Sequence, residues 1–138
     1  MLTKQVLEIF DLLDREDASG ALLKTYLESL GAEDVTVEKL GTGEQTTDSI
    51  RVCIPGTRGK RSGGQAPTLG ILGRLGGLGA RPEQIGFVSD GDGALAALSV
   101  AAKLLDGKAR LQLMHSMFHM GDQEKFRFDW KWLPKTGL

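Results

Sequence analysis

Along the first part of the chain the apolar positions fall at helical spacing. Val6, Leu7, Ile9, Phe10, Leu12 and Leu13 give a helix over 3–14 one wide apolar face. Ser19 stands where an N-cap belongs, Leu22, Leu23, Tyr26, Leu27 and Leu30 follow at the same period, and Gly31 marks the stop, so a second helix is predicted between them. The period then drops to two. Val35 and Val37 alternate with polar neighbours, and Ile50, Val52 and Ile54 alternate with Arg51 and Cys53, which predicts two strands separated by a turn region over 41–49. Pro55-Gly56 ends the second strand. Two short apolar runs, 68–72 and 85–88, read as buried strands. Leu95, Leu98, Val100, Ala101, Leu104 and Leu105 predict an alanine-rich amphipathic helix. Near the end, Phe126-Arg127-Phe128-Asp129-Trp130-Lys131-Trp132 alternates apolar and charged without a fault, as a half-buried strand does.

The order of two helices, four strands and a helix predicts an α/β fold, a mixed sheet with flanking helices. A chain of 138 residues has room for one domain with a modest core. Residues 1–106 are expected to form that α/β segment. The stretch 107–138 reads as an atypical aromatic-rich tail rather than a separate domain, because both histidines, both tryptophans and three of the four methionines fall within it.

Composition narrows the class further. With 41% apolar and 25% charged residues the chain is expected to fold rather than stay disordered. A formal net charge of −1 argues against a surface tuned as a whole to nucleic acid or anionic lipid, so neither partner is expected. Cys53 is the sole cysteine, which rules out an intrachain disulfide and suits a reducing compartment. The first residues lack the uninterrupted apolar stretch of a signal peptide, and no run is long enough to span a bilayer. The cytoplasm is the expected location.

Four stretches carry candidate chemistry. Ile85 to Val88 runs into Ser89-Asp90-Gly91-Asp92-Gly93, an apolar strand whose end offers Asp90 and Asp92 as metal ligands. The plain alternative is an Asp-Gly turn with Asp92 capping the next helix. From Ser49 to Pro82 there are six cationic residues and no acidic one, so Arg58, Lys60, Arg61 and Arg74 are candidates for holding an anion, with a solvated loop as the alternative. That loop is not a Walker phosphate loop, since Ile54 stands where its first glycine belongs and Arg61 follows Lys60. It also contains no aromatic face on which a nucleic-acid base could stack. Gly73-Arg74-Leu75-Gly76-Gly77-Leu78-Gly79 holds no dinucleotide fingerprint. His115 and His119 would share a helix face, but no glutamate or third ligand accompanies them.

Read in order, Ala18-Ser19-Gly20, Tyr26-Leu27-Glu28-Ser29-Leu30-Gly31, Val35-Thr36-Val37-Glu38 and Ile54-Pro55-Gly56-Thr57 resemble the opening of co-catalytic zinc peptidases and deacylases of the aminopeptidase and carboxypeptidase-like superfamily. The resemblance implies the N-terminal half of such a domain. In Asp90-Gly91-Asp92-Gly93-Ala94-Leu95-Ala96-Ala97, Asp90 would take the zinc-bridging position. Arg74 stands where that superfamily has a histidine ligand and Gly76 where it has an aspartate, so zinc is implied for intact relatives and tight binding is not expected here.

A more specific resemblance, over about 2–105, is to the uncharacterised bacterial family called domain of unknown function 1177. It rests on Ala66-Pro67-Thr68-Leu69-Gly70-Ile71-Leu72-Gly73-Arg74-Leu75-Gly76-Gly77-Leu78-Gly79-Ala80-Arg81-Pro82 and Val88-Ser89-Asp90-Gly91-Asp92-Gly93-Ala94. Members of that family run longer than this chain, which makes a truncated or frameshifted copy the expectation for its end. Two functional expectations follow. One is a hydrolase-like scaffold of the metallopeptidase or amidohydrolase type without catalysis of its own. The other is a noncatalytic module that binds an anionic small molecule through the basic glycine-rich loop. The ligand would be a small molecule or a peptide, and the alternating tail strand suggests a homodimer formed by strand pairing.

Overall fold

Leucine and isoleucine at helical spacing build the first layer. The structure, a computed structural model, describes residues 1–43, 45–75, 78–80, 85–87, 91–118 and 126–132. Helix α1 spans Thr3–Leu13 and α2 spans Gly20–Ser29. The start of α2 is capped twice. The Ser19 hydroxyl accepts the Leu22 amide at 3.3 Å, and Asp48 Oδ2 accepts the Gly20 amide at 2.7 Å. Gly31, at φ 91°, follows the helix in the left-handed conformation that the cap position favours.

Strands β1 (Val35–Thr42) and β2 (Gln45–Ile54) form an antiparallel ribbon, paired from Val35 with Val52 to Thr42 with Gln45. The expected turn region over 41–49 is therefore mostly strand. Pairing continues through Thr46 and Thr47, β-branched residues that suit a pleat, and Gly43, at φ 64°, lies at the tip. After a short 3-10 turn at Lys60–Ser62 come β3 (Leu69–Leu75), β4 (Leu78–Ala80) and β5 (Ile85–Phe87). Helix α3 runs from Asp92–Phe118, and β6 spans Phe126–Trp132.

The main sheet has the order β1-β2-β6-β3, while β4 and β5 form a separate antiparallel pair. Strand β6 is antiparallel to β2 and parallel to β3, so the sheet is mixed. The boundary expected at 106–107 falls inside the continuous α3. The tail strand lies between β2 and β3, and with both its edges occupied a dimer formed by strand pairing would need another edge.

Helix α2 packs on β1 and β2, while α3 packs on β3 and against α1. Val35, Ile50, Val52 and Ile54 face the helices at period two, and with Ile9, Leu13, Leu23, Leu27, Leu98 and Leu105 they form the core. Each such side chain contributes about 1.5–3 kcal/mol by leaving water. The run at 68–72 does not become the fully buried strand expected of it. Ile71 is half-buried on the face toward α3; Leu72, on the opposite face, is 75% exposed, and Leu69, at the start of this last strand of the sheet order, is 50% exposed. The run at 85–88 contributes β5 in the small second sheet, and of the main helix the expected span 95–105 is the middle only.

Candidate functional site

Two glycines let the start of α3 approach β3 more closely than side chains allow. A Cβ on Gly73 would collide with the carbonyl of Gly93 and sit 3.0 Å from the Ala97 methyl. One on Gly93 would lie 2.9 Å from both the amide nitrogen and the carbonyl oxygen of Arg74. The backbone of Arg74 on β3 is thereby held against the first turn of α3, which carries Asp92, while the Arg74 side chain leaves β3 on the face opposite Gly73; both side chains are exposed. Gly91 is buried against the Phe87 ring, and its carbonyl accepts the Leu95 amide at 3.0 Å. Phe87 is fixed in turn by an edge contact with Phe10, 5.3 Å between ring centres, and by its amide, which donates to Asp14 Oδ1 at 2.8 Å.

This junction brings together a predicted anion-binding residue and a predicted metal ligand. Asp92 lies in the first turn of the helix, where its charge complements the positive end of the dipole. Asp90 lies outside the described residues, as do Arg81 and His119, and His115 is described only as part of α3. Among the described residues no three His, Cys, Asp or Glu side chains come together to hold a metal ion. Of the two predicted metal ligands only Asp92 is described, and a single carboxylate does not by itself hold a zinc ion.

The basic loop is closed on itself. The amides of Ser62 and Gly64 donate to the Gly59 carbonyl, that of Gly63 to Lys60, and that of Ala66 to Arg58. The Ser62 hydroxyl donates to the Gly56 carbonyl at 2.7 Å. These four amides are committed within the loop and do not point at a ligand. Arg61 is also committed, since its guanidinium pairs with Asp34 at 2.5 Å. That hydrogen bond is the first cause that raises its pKa above the ordinary value. Arg58 and Lys60 are exposed on the same loop. Of the four predicted cations, three therefore share the loop and Arg74 stands apart on β3. Cys53, half-buried on β2, donates its amide to the Asp34 carbonyl at 2.9 Å and so helps fix the carboxylate that Arg61 uses.

The pair Gly73 and Gly93 was not singled out by sequence reasoning. Its signal is present, because a glycine within an apolar strand often marks close backbone approach, but the partner is known only once α3 is docked.

A family model described as protein of unknown function (DUF1177) matches residues 38–120. The match begins at Glu38 rather than near Leu2 and runs past Gly107, where the resemblance read from the sequence stopped at about 105. It takes in the basic loop and the junction of β3 with α3. No curated protein and no solved structure matches the chain.

Proposed function

The chain belongs to that family of unknown function, and from this premise we propose that it is a noncatalytic binding module on a hydrolase-like scaffold, its ligand an anionic small molecule. The observation that carries the reading is the exposure of Arg58, Lys60 and Arg74 within a stretch free of acidic residues. The Arg74 side chain, exposed with Leu72 on the face of β3 opposite Gly73, offers a planar guanidinium that favours a phosphate or carboxylate group. Arg58 and Lys60, in a stretch free of acidic residues, supply further attraction over a longer range. The scaffold part of the reading is supported by the order of helices and strands, and at Arg74, where the zinc peptidases and deacylases have a histidine, the chain departs from that pattern. A cation at that place suits an anion and opposes a metal.

Calorimetric titration with inorganic pyrophosphate at low salt tests the reading. Saturable binding is expected, weakened roughly tenfold by Arg74→Ala, the loss of about one charge-assisted hydrogen bond. Lys60→Ala should act more weakly, and its effect should fade as salt screens it. Absence of heat with the wild-type chain would sink the anion site. Retention of stoichiometric zinc together with metal-dependent cleavage of an amide substrate would overturn the noncatalytic part.

A further inference from the structure

Among the described residues the main sheet has two free edges, and they differ in chemistry. In the order β1-β2-β6-β3 the outer strands are β1 and β3. Strand β1 carries Glu38 and Lys39 side by side at its centre, both exposed, and charges there discourage another strand from pairing. Strand β3 has no such guard. Its centre reads Gly70-Ile71-Leu72-Gly73, without proline or charge. Leu72 is 75% exposed, and nothing lies within 4 Å of where a Cβ on Gly70 would stand. Among the described residues the backbone of β3 pairs with β6 alone, so a row of its N–H and C=O groups faces outward.

Both ends of that edge are basic. Arg74 stands at the C-terminal end, exposed on the face that carries Leu72. At the N-terminal end the basic loop is tied beside the approach to the strand. The Ala66 amide donates to the Arg58 carbonyl at 3.0 Å, and Gly59 bridges to the same residue, three residues ahead of Leu69. Arg58 and Lys60, both exposed, are held there. From Leu69 to Arg74 the strand runs about 17 Å, the reach of a short extended peptide. A second copy of β3 on this edge would bring its own Arg74 to a rim drawn from an acid-free stretch, so self-pairing meets like charge, whereas an acidic segment meets opposite charge.

We propose that the free edge of β3 binds an extended peptide by strand addition, the peptide being apolar at its centre and acidic at both ends. This rests on the anion reading, since Arg58, Lys60 and Arg74 serve both, and adds to it the class of the partner. Main-chain hydrogen bonds to β3 supply the pairing, Leu72 meets an apolar side chain on the outer face, and the cations at the two ends take the carboxylates. Beside Gly73 only a small peptide residue fits on the inner face, because the start of α3 is packed against that position.

The test is fluorescence anisotropy of the full chain with a labelled peptide that has leucine and valine at its centre and glutamates at both ends, beside the same peptide N-methylated on its central amides. Methylation keeps the charges and side chains and removes the donors of the ladder. The plain peptide is expected to bind saturably and the methylated one roughly tenfold more weakly; Arg74→Ala should weaken the plain peptide roughly tenfold and Leu72→Thr roughly threefold. Amide hydrogen exchange in β3 should slow on binding. Equal affinity for the two peptides, or unchanged exchange in β3, would show that charge alone holds them and would overturn the strand addition. Titration with pyrophosphate separates the two readings: pyrophosphate bound without the plain peptide overturns the strand addition and leaves the anion site standing, and neither bound overturns both. A dimer in sedimentation that the peptide fails to dissociate gives the edge to a second copy and overturns the proposal as well.

Discussion

At the scale of single residues, several glycines and polar side chains have structural causes that can be checked one at a time. A methyl on Gly73 would press into the first turn of α3, so Gly73→Ala is expected to lose about 1–3 kcal/mol in urea unfolding, the usual cost of overpacking. Gly107 is the reverse case. It lies within α3 with nothing within 4 Å of where a Cβ would stand, so Gly107→Ala should stabilise the chain by about 0.5–1 kcal/mol in the same measurement. Ser19→Ala should cost about 1 kcal/mol, softened by the second cap from Asp48. Tyr26 sets a pH dependence whose sign follows from its pKa, raised first by burial and then by the hydrogen bond its hydroxyl donates to Glu8. The unfolded phenol ionises near 10 and the folded one later, so its contribution is present below pH 10 and is lost as pH rises above it. Between pH 9 and 11 the wild-type urea midpoint should fall more steeply than that of Tyr26→Phe.

At the scale of elements, local pattern was a good guide where a period could be counted over several turns or pleats. Helices α1 and α2 and strand β6 lie where the spacing of their apolar residues places them, and Ser19 and Gly31 bound α2 as cap residues should. Pattern misled where another element supplied the decisive contacts. Residues 41–49 look like a turn because glycine and polar residues dominate, yet ladder hydrogen bonds from the facing strand extend both β1 and β2 through most of them. Helix α3 runs beyond its amphipathic middle because residues on both sides of Gly107 keep helical propensity and the helix packs on both β3 and α1. Leu98, fully buried on α3, ties these layers together, and Leu98→Ala should cost about 2–5 kcal/mol by calorimetric melting.

At the scale of the whole molecule, β6 decides how the sheet closes. It sits between β2 and β3, so a chain cut after Phe118 would leave the β1-β2 ribbon and β3 without the strand that joins them. Such a chain is expected to lose its cooperative thermal transition, which circular dichroism would show as a broad, early loss of signal. Part of the candidate site was legible beforehand. The cations Arg58, Lys60, Arg61 and Arg74 and the carboxylate Asp92 stand out in one dimension because charge and motif are local properties. That Arg61 is spent on Asp34 and that the Arg74 backbone meets the start of α3 depend on contacts between distant segments. The amino-acid order by itself determined the helices, most strand positions and the α/β class, since hydrophobic period and cap chemistry act over a few residues. The tertiary structure alone decided the strand order, the exposure of Leu72 and the pairing of Gln5 with Asp106 and of Tyr26 with Glu8, because burial and pairing between remote segments are set by the packed whole.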